Sequence, residues 1–130
     1  SRVPSLEERF SAVSRFAADL RELGPANFLY ADGDALFAHG DRRMQAAIGK
    51  AAPPGLHLLS RRCADESECV RARGLSVAPG FREVLLIASV PLTDEKWRPL
   101  AEGELVAASA GRVLAAKRAD PEMVQEYRAR

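Results

Sequence analysis

The chain is poor in the residues that carry chemistry. Its 130 residues include two cysteines, two histidines and one tryptophan, and aromatics make up 6%. Cys63 and Cys69 are six apart, not at C-x-x-C spacing, and His39 and His57 have no second cysteine pair to complete a tetrahedral site. We therefore expect no structural metal. No charge of one sign dominates: 19 basic residues face 18 acidic ones, a net charge of +1. Phosphate recognition needs clustered positive charge, so nucleic acid is not an expected partner. The longest apolar run, Val84 to Val90, is far short of the roughly 20 residues of a membrane span, so neither is a membrane. Ser1 to Ser5 opens into a charged amphipathic stretch with no apolar leader-like core, which does not read as a signal peptide. With no initiator Met, we expect a chain trimmed or cut from something longer. Two free thiols would suit a reducing cytoplasm; a Cys63–Cys69 disulfide across a loop is the alternative.

Recognisable catalytic signatures are missing too. There is no G-x-S-x-G, no H-E-x-x-H and no glycine-rich phosphate loop, since Gly33 and Gly40 stand alone as turn glycines. Asp32, Asp34 and Asp41 are acidic neighbours without the D-x-D-x-D-G ladder and closing glutamate of a calcium loop. No cofactor is expected.

The chain does specify a fold. Apolar residues make up 47% and charged residues 28%, enough to bury a core in one domain. Ser5 to Leu23 reads as a helix, with Ser5 and Glu8 as a capping box and Gly24-Pro25 as its stop. Leu6, Phe10, Val13, Ala17 and Leu20 form its buried stripe, which Phe16 and Leu23 widen. Asn27 to Gly40 reads as a hairpin around Asp32-Gly33, its arms so apolar that both faces are expected to be covered. Asp41 to Pro54 is ambiguous, with a helical turn suggested at Met44 to Ile48. Gly55 to Arg62 and Arg82 to Pro91 read as strands, and Cys63 to Gly80 as a surface connection. Thr93 to Gly103 is a loop holding Trp97. Glu104 to Ala108 and Arg112 to Ala116 form a hairpin around Ala110-Gly111, and Asp120-Pro121 starts a short helix. About six strands with helices at both ends make an α+β fold of mostly antiparallel strands.

Candidate site residues are few. His39 reads as a strand-end histidine paired locally; the functional alternative faces it into a pocket flanked by Arg42 and Arg43. His57 reads as half-buried and structural. Arg61, Arg62, Arg71 and Arg73 surround Cys63 and Cys69 in sequence and would lower a thiol pKa, but no histidine is placed as partner. Trp97 reads as a packing plug. We assign no catalytic, cofactor-binding or metal residue.

Three segments nevertheless resemble one family. Pro25-Ala26-Asn27-Phe28-Leu29-Tyr30-Ala31-Asp32-Gly33, with Ala35-Leu36-Phe37-Ala38-His39, resembles the "NFLLSDG…LFAH" hairpin of class II glutamine amidotransferases, in particular the stand-alone bacterial group. Ala88-Ser89-Val90-Pro91-Leu92-Thr93-Asp94-Glu95-Lys96-Trp97 resembles its "PLT…W" strand and loop. Pro99 to Val106, then Gly111-Arg112-Val113, resembles its "L-x-x-GE" hairpin. The resemblance covers roughly residues 5 to 117. It implies part of a four-layer αββα N-terminal-nucleophile hydrolase sandwich. It also implies glutamine hydrolysis by an N-terminal cysteine, with ammonia passed to a second substrate. The family's catalytic positions lie in the first half of the domain and have no counterpart here, so residues 1–130 are expected to be its C-terminal half. Ser1 as a substitute nucleophile is not favoured, since it leads into a helix. Such a segment would leave a sheet edge or apolar face for the missing N-terminal half or for self-association. The competing expectations are a non-enzymatic α+β binding or assembly module, and a thiol enzyme using Cys63 or Cys69.

Overall fold

The computed structural model describes residues 2–63, 70–72, 74–77 and 82–119. Helix α1 spans Leu6–Leu23, with the Ser5 hydroxyl accepting from the Glu8 amide at 3.1 Å. Only half of the capping box forms: the Glu8 carboxylate takes the Arg2 guanidinium at 2.7 Å. Eleven strands follow among the described residues. They are β1 (Phe28–Ala31), β2 (Leu36–Gly40), β3 (Arg43–Gln45), β4 (Lys50–Ala52), β5 (His57–Cys63), β6 (Val70–Ala72), β7 (Leu75–Val77), β8 (Arg82–Ala88), β9 (Arg98–Pro99), β10 (Glu104–Ser109) and β11 (Arg112–Lys117).

Two sheets organise the molecule. One has four antiparallel strands in the order β1-β2-β10-β11, the other three in the order β8-β5-β9. Side chains alternate between faces along a strand. On one face of the first sheet, Ala35, Phe37, Leu105 and Ala107 meet Leu6, Phe10 and Val13 of α1. On the other, Ala38 and Val106 meet Leu56, Leu58 and Leu100, with Leu85 and Ile87 packed alongside. The layers therefore run helix, sheet, sheet. This is an α+β fold of mostly antiparallel strands, consistent with part of an αββα sandwich. Burial on both faces explains why β2 and β10 read as continuous apolar runs. Phe37, fully buried at the helix–sheet layer, contributes about 1.5–3 kcal/mol by leaving water.

The sheets are latched at one end. The Ala110-Gly111 turn has both residues at positive φ, 52° and 77°, as a two-residue hairpin turn requires. Gly111 lies so close to the Glu83 carbonyl that a Cβ there would clash with it. Next to it, Arg112 from the first sheet and Arg62 from the second grip the Glu83 carboxylate. These contacts hold Glu83 down at about 2, Arg112 contributing most and Arg62 next.

Several expectations need correcting. Asp32-Gly33 is not a two-residue turn: Ala31 pairs with Leu36, leaving a four-residue loop in which Gly33 takes positive φ. The Asp32 carboxylate closes that loop by accepting from the amides of Asp34 and Ala35 at 2.9 and 2.8 Å. Residues 43–52 form the β3–β4 hairpin rather than a helical turn, with Gly49 at φ 66° supplying the reversal. β6 and β7 pair around Gly74, so the surface connection after Cys63 carries a small hairpin. The strand count is accordingly higher than the six expected, because short hairpins lack the long apolar runs by which strands are read. Phe16 and Leu23 do not extend the buried stripe; they are 55% and 86% exposed. Finally, β2 is covered on both faces but β1 is not, with Leu29 and Tyr30 about half exposed. The helix expected from Asp120 and the residue Ser1 lie outside the described residues.

Candidate functional site

The first and third family-like segments meet at one buried corner where β2 ends, at Gly40-Asp41. Asp41 is 2% exposed. Its Oδ2 accepts from the Ala26 amide at 3.1 Å and from Arg21 Nε at 3.3 Å, tying the end of α1 and the segment before β1 to the strand end. Asn27 makes a second tie: its Oδ1 accepts from the Asp41 amide at 2.6 Å and its Nδ2 donates to the Arg42 carbonyl at 2.8 Å. Gly55 is packed against that Asn27 amide, where no Cβ would fit. Gly40 faces Leu100, whose Cβ lies 2.9 Å from where an alanine Cβ would stand. Gly103, at φ 78°, donates its amide to the Gly40 carbonyl at 2.9 Å.

His39 lies in the same corner, 1% exposed, with Nδ1 2.7 Å from the Ala26 carbonyl and its ring stacked on Phe28 at 5.3 Å between centroids. In the neutral tautomer that donates to Ala26, Nδ1 carries the proton. Burial holds the imidazole below its ordinary value of 6.5, against opposing pulls from the Ala26 carbonyl and Asp41. It is therefore a locally paired strand-end histidine. The arginine nearest in its electrostatics is Arg21, not Arg42 or Arg43 as the pocket alternative required. Glu102 joins from the loop before β10, 3.4 Å from Arg42 Nε and 4.0 Å from Arg21. The buried Glu104 carboxylate accepts from the Ala101 amide at 2.8 Å and from Arg98 at 3.1 Å.

Chemically, this corner is closed. Its charges alternate in sign, and its polar atoms are directed at backbone groups and at each other. Asp41 Oδ1 and Arg42 Nε are the exceptions, buried atoms without a hydrogen-bond partner among the described residues, although Arg42 Nε keeps its ion pair with Glu102. Among the described residues no cysteine, serine or threonine stands in it as a nucleophile beside a base. Sequence reading singled out His39 and Asp41 but missed Arg21, Asn27, Glu102 and Glu104. The last three lie inside the family-like segments, which was the available signal.

The remaining candidates are dispersed. Asp32 and Asp34 hold the fork of Arg9 at 2.5 and 2.9 Å, clamping α1 to the β1–β2 loop. The Ala35 amide, Arg9 and the Asp34 amide bring Asp32 down to about 2. No group of three or more His, Cys, Asp or Glu among the described residues is arranged to hold a metal. His57 is half-buried on β5, its Nδ1 without a hydrogen-bond partner among the described residues. Trp97 is buried and donates its indole N–H to Thr93 Oγ1 at 3.0 Å, a plug pinned inside its own loop. That loop borders an open depression of about 380 Å³ lined by Pro91, Leu92, Thr93 and Asp94. Cys63 is buried and disulfide-bonded rather than a free thiol, which removes it as a nucleophile. The arginines on its strand are engaged elsewhere, Arg61 with Glu95 and Arg62 with Glu83. Cys69 and Arg73 lie outside the described residues. No helix among the described residues is long and apolar enough to cross a membrane.

Comparison with known proteins agrees with the motif reading. The sequence profile of the family described as "Glutamine amidotransferases class-II" matches residues 1–129. An uncharacterized protein of Methanocaldococcus jannaschii is 29% identical over 110 residues, which is 83% of this chain and 30% of that protein. The chain thus spans less than a third of the length of that relative. No solved structure matches it.

Proposed function

We propose that this chain, which belongs to the class II glutamine amidotransferases, is the carboxy-terminal scaffold half of a glutamine amidotransferase domain. In that domain, glutamine and water give glutamate and ammonia, and the ammonia goes to a second substrate. The reading rests on one observation. The first and third family-like segments converge on the Gly40-Asp41 corner and the second pins Trp97 inside its own loop, so that their polar groups are engaged in holding the fold. The nucleophilic cysteine and the groups that bind glutamine belong, on this reading, to residues outside this chain. Its partner is then the amino-terminal half of the same domain, or failing that a second copy. The free-thiol argument for a cytoplasmic location falls with the Cys63 disulfide; hydrolysis of a free metabolite is what keeps the cytoplasm as the proposed compartment.

The test is made on the protein isolated from its host. Its first residue is sequenced, and it is treated with a diazoketone analogue of glutamine, which alkylates an N-terminal cysteine nucleophile. The reading expects a mature N-terminal cysteine, stoichiometric labelling there, and glutamate release that labelling abolishes. A protein with no such cysteine and no turnover would instead be a non-enzymatic module on the same scaffold.

A further inference from the structure

The two outer strands of the four-stranded sheet are finished differently. β11 is a blunted edge. It carries Arg112 and Lys117 at its ends and a register shift opposite Ala107/Ala108 that interrupts its ladder. β1 has neither device: its sequence is Phe-Leu-Tyr-Ala, without charge, proline or bulge, in unbroken register with β2. It is also apolar on both faces. Phe28 and Tyr30 lie on the α1 side, where Phe28 meets the half-exposed Phe16 at 5.8 Å and Tyr30 meets Phe37 at 6.0 Å. Leu29 lies on the opposite face, 54% exposed, beyond the reach of the second sheet that covers its neighbour Ala38.

The backbone phase is fixed by the loop. The Asp32 amide bonds the Ala35 carbonyl, so Tyr30 and Phe28 exchange hydrogen bonds with Phe37 and His39. The N–H and C=O groups of Leu29 and Ala31 then point away from the sheet, with no strand beside them among the described residues.

We infer that the free edge of β1 is a seam at which a strand from the rest of the same amidotransferase domain adds to this sheet, bonding Leu29 and Ala31 and covering Leu29, Tyr30 and Phe16. The assignment rests on the reading under Proposed function. Chain length points to this occupant: more than two thirds of the matched relative lies outside the aligned part, so a family member has ample chain to supply a strand. An unprotected edge that is apolar on both faces would otherwise template aggregation.

Residue-resolved amide exchange on the full-length protein tests the seam. Leu29 and Ala31 should exchange roughly a hundredfold or more slowly than unstructured amides, at a rate independent of protein concentration. Exchange at the unstructured rate overturns the proposal. So does protection that grows with concentration, which assigns the edge to a second copy, and so does protection of Val113 on β11 in place of Leu29. Ala31→Pro supplies a second readout. It deletes an outward N–H that β2 does not use, and should free Leu29 to exchange while Tyr30 stays protected; Leu29 remaining protected would count against the seam. Glutamate release is scored separately. A protected edge without turnover removes the glutaminase reading and upholds the seam, whereas turnover with an unprotected edge removes the seam alone.

Discussion

β1 and β2 are the two arms of one hairpin, and Phe-Leu-Tyr-Ala is as apolar as Leu-Phe-Ala-His-Gly. Their fates differ. β2 lies between two strands, under α1 on one face and against the second sheet on the other, and from Phe37 to Gly40 it is wholly buried. Among the described residues β1 has a neighbouring strand on one side only, and Leu29, Tyr30 and Ala31 are exposed. Apolar sequence on both faces shows that a strand is made to be covered. Position in the sheet decides whether this chain does the covering. The two disagree at β1, which is where the proposed seam lies.

The sharpest test of that contrast is a pair of truncations. Phe37→Ala empties the helix–sheet layer and should cost about 3–5 kcal/mol in urea unfolding. In the 130-residue chain, where Tyr30 on the neighbouring strand is half exposed, Tyr30→Ala should cost less than half as much. Equal costs would mean that β1 is already buried and would break the comparison. Next comes Gly55→Ala, which drives a Cβ into the Asn27 amide and the Asp41 carbonyl. It should cost about 1–3 kcal/mol, whereas Gly33→Ala, with open space around it, should lose only what its positive φ imposes.

A smaller effect follows from His39. Its folded pKa lies below the ordinary 6.5, so between the two values the unfolded chain binds more protons. Stability is complete above about pH 6.5 and falls as pH drops through the folded value. His39→Phe should flatten melting temperature across pH 5 to 8; an unchanged slope would remove His39 as its source. Smallest is Asp32, held at about 2 on the exposed loop. Its contribution is present above about pH 4 and lost as pH falls toward 2. Asp32→Asn should soften the acid limb of the stability curve at low salt and do little at high salt. An acid limb that Asp32→Asn leaves unchanged at low salt would assign it to other carboxylates, Glu83 first.

The readable parts of the fold are those set by near neighbours in the chain. Ser5 and the four-three spacing of Leu6, Phe10, Val13 and Ala17 define α1, and Ala110-Gly111 defines the β10–β11 turn. Asp32-Gly33 misled because the Asp32 carboxylate competes with the tight turn by binding two amides itself. β3 and β4 were obscured because three-residue strands carry no periodicity. The Asp41 corner was hardly readable at all: its partners Ala26, Arg21 and Asn27 come from 14 to 20 positions away, and only topology brings them together. The family-like segments pointed to Asn27 and Glu104 without revealing that both serve the fold.

The central claim is that this chain holds a glutaminase together without performing its chemistry. Glutamate release from glutamine, measured for the 130-residue chain beside the full-length protein at equal concentration, tests it most directly. The account predicts turnover by the full-length protein and none above the uncatalysed rate by the chain. Turnover by the chain alone would contradict it, and would mean that a nucleophile among these residues has been mistaken for scaffold.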